Sequence, residues 1–185
     1  FVPNLRYDPF TFFKKMWDLS RLEIKNIIRP TSFKLIAGIL VLFAILQNLL
    51  WNAGYYIGPQ VPVTSGMTQF RITFGVFLVL LLIIWSGELF FKDKTVNIWQ
   101  ITDALPVPIW VTQLAKLLAM FAVAFILNFL FMLCGMVAQI IQGGAAHIDL
   151  QLYATDFFGH QWGWLSHCLY IILAFFLAGL TGNRF

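Results

Sequence analysis

Four long apolar runs constrain this chain more than any other feature of its sequence. Each is near or above the ~20 residues that a helix needs to cross ~30 Å of hydrocarbon. The runs lie at 35–56, 70–91, 108–141 and 162–180. The chain is 60% hydrophobic and 11% charged, whereas soluble domains average about half and about a quarter. These features predict an all-α, polytopic membrane protein with four transmembrane helices.

The third run is longer than a perpendicular crossing requires. At about 1.5 Å per residue it either tilts or begins within the inner interface. Lys116 favours the second arrangement, because its long side chain can extend back toward the basic side of the membrane.

The segment before the first run predicts an amphipathic interfacial helix over 8–29. Asp8 is a favourable N-cap, Pro9 suits the first helical position, and Pro30 ends the helix. An apolar stripe at helical spacing supplies the predicted interfacial anchors Phe13, Trp17, Ile24 and Ile28. A basic helix with such a stripe lies in the headgroup plane of the bilayer. The alternative is a soluble helix that packs on another domain.

The basic residues predict how the spans are oriented. Of the twelve lysines and arginines, eleven fall on one side of a four-span topology and Arg71 alone falls on the other. The positive-inside rule therefore places the N-terminus, the segment 92–107 and the C-terminus in the cytoplasm. A net charge of +4 does not indicate nucleic-acid binding here, because these residues cluster beside apolar runs instead of forming a basic face.

The segment 92–107 joins the second and third spans and predicts a short cytoplasmic helix. It has room for about three helical turns before the two prolines, which break the helix and begin the next span. Such a helix could bind a soluble partner and transmit the movement of that partner to the membrane spans. The residues assigned to this task are Lys94, Ile98, Trp99, Ile101, Leu105, Pro106 and Pro108.

Two charged residues near the cytoplasmic ends of consecutive spans are candidates for an intramembrane ion pair. Ionisable side chains at such depth usually have a partner. We expect Glu88 and Lys116 to approach one another, directly or through Lys92 or Lys94. The alternative is that each simply reaches interfacial water.

Polar residues in the loop 143–161 are weaker candidates for a site. His147, Asp149, Asp156 and His160 include two carboxylates and two imidazoles, so metal binding is conceivable, but we favour a solvated loop. His167, inside the fourth span, predicts a hydrogen bond to a neighbouring helix. No catalytic triad, HExxH motif or phosphate-binding glycine loop is present, so we expect no enzymatic activity, metal or cofactor.

The central segment and its flanks carry a resemblance. The sequence Gly87-Glu88-Leu89, then 92–94 (KDK), 103–108 (DALPVP), Trp110 and 116–119 (KLLA) resembles the loop between the second and third spans of ABC-type-2 permeases. The similarity is closest to large bacterial permeases, typical of Bacteroidota, that are fused to a zinc aminopeptidase-like domain. Pro62-Val63-Thr64 and the terminal 182–185 (GNRF) also fit that pattern.

The resemblance implies the membrane part of an ATP-driven exporter in a bacterial inner membrane. It implies that 8–29 is the elbow helix and that Lys94 to Leu105 is the coupling helix that docks on an ABC ATPase subunit. A second permease half or a second copy would be a further partner. Such permeases have six spans, so four spans without an ATPase or peptidase motif predict a fragment of a longer protein. The alternative function is a non-transporting membrane scaffold or anchor, and an intramembrane enzyme is a more distant one.

Overall fold

The structure is a computed structural model that describes residues 9–54, 62–68, 70–95, 108–159 and 163–181. Within these ranges the chain is helical and contains no strand. The α-helices there are α1 (Pro9–Ile28), α2 (Thr31–Gly54), α3 (Thr64–Met67), α4 (Phe70–Thr95), α5 (Ile109–Ile141), α6 (Leu150–Ala154) and α7 (Trp164–Thr181). A 3₁₀ turn at Ala145–His147 and a π-helical turn at Thr155–Gly159 complete the set.

The all-α prediction holds for the described chain, and so does the number of apolar segments. Four segments are long and apolar enough to cross a membrane, namely Thr31–Leu49, Phe74–Lys92, Ile109–Ile141 and Leu150–Thr181. Helix α2 begins four residues before the predicted boundary, because Pro30 ends α1 and the next helix starts at once. Helix α4 continues four residues past the predicted boundary, so Lys94 belongs to its last turn.

Helix α5 lies at the centre of the bundle and contacts α1, α2, α3, α4, α7 and the π turn. Its 33 residues extend about 50 Å, more than the ~30 Å hydrocarbon core. Several small residues lie on its buried surface, where they let neighbouring helices approach closely. They are Ala115, Ala119, Ala124, Gly135 and Ala138.

Aromatic side chains fill the space between α2, α4 and α5. The rings of Phe43 and Phe74 lie 5.4 Å apart, and Phe74 lies 5.4 Å from Phe131 on α5. Phe33 and Trp85 make a similar contact between α2 and α4 at 5.0 Å. Such tilted pairs stabilise a packed interior beyond the area they bury.

The outer surface of the bundle is apolar over several helices. Large side chains on α2 and α7 stay exposed, among them Ile39, Leu42, Leu169, Leu173 and Phe176. Soluble monomers rarely leave contiguous apolar surface of this kind in water. Lipid or further membrane helices would cover it.

One end of the bundle is closed by residues 62–68 and 143–159, which we call the cap. Its centre is Gln139, whose side chain is fully buried at the end of α5. Gln139 Nε2 donates to the carbonyls of Pro62 and His147, both at 3.1 Å. Gln139 Oε1 accepts from the hydroxyl of Tyr153 at 2.9 Å and from that of Thr64 at 3.4 Å.

The cap corrects the prediction that 143–161 is a solvated loop. The described part is a compact series of short helices that packs against α5. Asp149 starts α6 by accepting hydrogen bonds from the backbone N–H groups of Gln151 and Leu152. Gly144 sits so close to Pro62 that an added Cβ would clash with its carbonyl oxygen. Only glycine fits at this position without displacing the backbone.

Candidate functional site

The end of the bundle opposite the cap, which we call the basic end, carries helix α1. This helix packs along the first half of α5. Phe12 contacts Trp110 with ring centroids 6.3 Å apart. The Ser20 hydroxyl is buried and lies 2.9 Å from both the carbonyl of Met16 and that of Ala115 on α5. A small side chain at position 20 therefore brings the two backbones close together.

An ion pair joins α1 to the last turns of α4. The Nζ atom of Lys92 lies 2.6 Å from Oε2 of Glu23. Glu23 is the more buried partner, with 14% of its side chain exposed against 36% for Lys92. Helix α1 therefore contacts α4 just before the segment 96–107 and α5 just after it.

The predicted interfacial anchors occupy two neighbouring strips of α1. Phe13 and Trp17 are exposed, at 61% and 50%, and the Arg21 guanidinium lies 5.4 Å from the centroid of the Trp17 ring. Ile24 and Ile28 are half-buried beside the face that contacts α5. An exposed aromatic strip flanked by a cation, on a helix whose other side rests on a membrane-length helix, is typical of the headgroup layer.

Glu88 and Lys116 have different surroundings. Lys116 is buried on α5, with 3% of its surface exposed. Glu88 is exposed and lines a groove of about 220 Å³ between the α1–α2 corner and α4, together with Trp85 and Lys92. Lys92, one of the predicted bridging residues, forms an ion pair with Glu23 of α1. The pairing of Glu88 with Lys116 stays a prediction.

Most of the predicted coupling residues lie outside the described part of the chain. This applies to Ile98, Trp99, Ile101, Leu105 and Pro106. Pro108 is described and precedes α5 with φ −60° and ψ 139°, an extended conformation at the N-cap. The helix thus begins one residue after Pro108, close to the start of the span that the sequence predicts.

At the cap end, Asp156 is buried, whereas the sequence predicted that it lies in a solvated loop. Its Oδ1 lies 2.5 Å from Nη1 of Arg71, and the same nitrogen donates to the backbone carbonyl of Asp156 at 3.1 Å. His147 is exposed, and the Asp149 side chain accepts hydrogen bonds from backbone N–H groups at the start of α6. His160 lies outside the described residues. Within the described ranges no cluster of three or more His, Cys, Asp or Glu side chains could hold a metal ion.

The predicted hydrogen bond of His167 to a neighbouring helix is confirmed. Its Nδ1 lies 2.9 Å from Nδ2 of Asn128 on α5. The sequence did not point to Asn128, nor to Ser20 and Glu23 at the basic end. Glu23 is one of two carboxylates on a mainly basic helix, the other being Asp18, and this pattern does not identify a partner 69 residues away.

No protein-family model, curated protein or solved structure matches the chain.

The Glu23–Lys92 pair predicts a specific pattern in a charge-swap experiment. Glu23→Lys places two cations together and should lower the midpoint of thermal unfolding in detergent. Adding Lys92→Glu should recover part of that loss, since the attraction is restored with reversed polarity. A partly exposed pair contributes less than about 1 kcal/mol, so the coupling must be read from the complete double-mutant cycle.

Asp18→Lys supplies the matched control, because Asp18 is exposed on the same helix. It makes the same charge change as Glu23→Lys without facing Lys92. The predicted contact is wrong if Asp18→Lys destabilises as much as Glu23→Lys and Lys92→Glu rescues both equally.

Proposed function

We propose that this chain is part of the permease of an ATP-driven ABC exporter in a bacterial inner membrane. The observation that supports this best is the position of α1, which contacts both helices that flank the segment 96–107. The Glu23–Lys92 ion pair holds the end of α4, while Ser20 and Phe12 hold the start of α5. A force applied to the segment would thus reach two membrane-length helices and the elbow together.

In this proposal the basic end faces the cytoplasm and the segment 92–107 docks on an ABC ATPase subunit. The ATPase supplies the free energy, and the permease converts it into a change in the arrangement of its helices. The ATPase must make different contacts in its two nucleotide states, because a partner that binds both permease states equally shifts no population. A second permease half, or a second copy, would face the apolar surface of the bundle.

A non-transporting scaffold is the alternative, and the cap favours it in one respect. Gln139, Thr64 and Tyr153 tie the cap to α5 through several buried hydrogen bonds. Such a network opposes rearrangement at that end. The two functions differ in one measurable property, since only a permease moves substrate in response to ATP hydrolysis.

The orientation can be tested with single cysteines in a variant that lacks Cys134 and Cys168. Ala146→Cys, at an exposed cap position, should react with an impermeant thiol reagent added outside intact cells. Asn97→Cys should react only after the membrane is opened. Ala146 is preferable to Gly144, where a side chain would meet Pro62. Labelling of Asn97 alone from outside would reverse the orientation and remove the basis for cytoplasmic coupling.

The coupling role predicts different effects for two substitutions in the segment. Trp99→Ala removes a large apolar side chain of the kind that dominates interfaces, at a cost of about 2 kcal/mol or more if it lies at the centre of the contact. It should weaken co-purification of the ATPase subunit. Pro106→Gly frees the backbone before α5, so it should preserve co-purification and lower ATP-dependent transport.

The amount of each variant in the membrane fraction is measured as a control, because a variant that fails to insert would also lose association and transport. Unchanged ATPase association and unchanged transport in Trp99→Ala would show that 92–107 is an ordinary cytoplasmic loop. The scaffold would be favoured if the ATPase subunit co-purifies with the parent protein and with the variants alike, and none of them transports substrate.

A further inference from the structure

A small cavity lies where the first turns of α4 and α7 meet the middle of α5. Its volume is about 10 Å³, and most of its wall is apolar, with Phe74, Leu78, Phe131 and Phe157 beside Gly75. Its polar side chains are Arg71 from α4, Asn128 from α5 and His167 from α7. Neither the ATPase-coupling proposal nor the cap explains why polar side chains converge at this point.

The hydrogen bonds of Asn128 determine which ring nitrogen of His167 carries the proton. Nδ2 of Asn128 lies 2.8 Å from the carbonyl oxygen of Ala124, which can only accept. The atom at that position must therefore be the amide nitrogen, a donor with two protons. Its second proton points to Nδ1 of His167, 2.9 Å away. Nδ1 must accept, so the neutral imidazole is protonated at Nε2.

Two buried N–H groups at the cavity consequently have no acceptor. Within the described part of the chain, Nε2 of His167 and Nε of Arg71 are both buried without a hydrogen-bond partner. The backbone of Gly75 lies beside the His167 ring, but Nε2 has no partner within hydrogen-bond distance and angle. Arg71 uses Nη1 for Asp156, which leaves its Nε–H free to point elsewhere. A buried donor left without an acceptor costs about 1–3 kcal/mol.

We propose that this cavity binds one water molecule, which accepts hydrogen bonds from Nε2–H of His167 and Nε–H of Arg71. A single buried water needs roughly 10–15 Å³ and two to four polar partners. The cavity, at about 10 Å³, reaches the lower end of this range and supplies two donors. Asn128 and Gly75 also line the cavity, and the proposal assigns their carbonyl oxygens as acceptors for the protons of the water. A cation is excluded by two donors, one of them on a guanidinium. An anion has no charge to neutralise, because Asp156 already pairs with Arg71.

The water would join two polar pairs that otherwise appear separate. It connects the Arg71–Asp156 ion pair under the cap to the Asn128–His167 pair between α5 and α7. The first turns of α4 and α7 and the π turn would then be held to α5 by one continuous hydrogen-bonded chain. This role does not depend on transport, so the proposal stands or falls independently of the proposed function.

Magic-angle-spinning NMR of the full chain in lipid bilayers, labelled with ¹⁵N at histidine and arginine, tests the proposal. The three histidines are assigned by comparison with His147→Gln and His160→Gln, which leave the cavity residues intact. The His167 ring should be neutral with its proton on Nε2. Magnetisation should pass from water to that proton, and also to Nε–H of Arg71.

Arg71→Lys is the matched variant, because lysine keeps the charge that pairs with Asp156 and removes the Nε–H donor. It should abolish or sharply reduce the transfer from water to His167 while the tautomer stays the same. The proposal is wrong if the proton of His167 is on Nδ1, or if Nε2–H receives no magnetisation from water. A resonance of Nε2 that moves when chloride is replaced by bromide also overturns it, in favour of a bound halide. Transfer from water that is undiminished in Arg71→Lys would show that Arg71 does not hold the water.

Discussion

Close packing against α5 is the constraint on which the rest of the structure depends. In a bilayer, helices gain little from burying apolar side chains against one another, since lipid is equally apolar. Association then relies on shape and on buried hydrogen bonds. Ala119 and Ala124 are fully buried on α5, and Ser20 of α1 reaches its backbone directly. A larger residue at any of these points would push a neighbouring helix away from the helix that organises the bundle.

The two ends of α5 are held by different chemistry. At the basic end, α1 is attached by one charged contact, one hydroxyl and an aromatic pair, contacts that leave much of its surface exposed. At the cap end, the Gln139 side chain is hydrogen-bonded to both segments of the cap, since it donates to the carbonyls of Pro62 and His147 and accepts from Tyr153. If the proposed function holds, this asymmetry separates a partner-facing end from an end that keeps its arrangement.

The sequence predicted the features that depend on length and on local signals. Apolar run lengths located the spans, and Pro30 correctly marked the corner between α1 and α2. Features that depend on contacts between distant residues were missed. The polar composition of 143–161 fits a loop as well as a cap, because nothing local shows that Asp156 meets Arg71, 85 residues earlier. Likewise Asn128 and His167 are 39 residues apart, and an isolated asparagine in a span could face any neighbour. The coupling assignment of Trp99 and its neighbours rests on the resemblance and on the two prolines.

The central claim of the proposed function is that α1 and the start of α5 move together when the proposed ATPase partner changes nucleotide state. Pulsed EPR distances in the full-length protein with that partner, reconstituted in bilayers, test it most directly. Spin labels at Leu22 and Leu114, exposed positions on α1 and α5, should keep one distance in the nucleotide-free and ATP-bound states. The distance from Leu22 to the equivalent site in the second permease half should change between those states. A Leu22–Leu114 distance that shifts with nucleotide, or a distance between the halves that never does, would contradict the account.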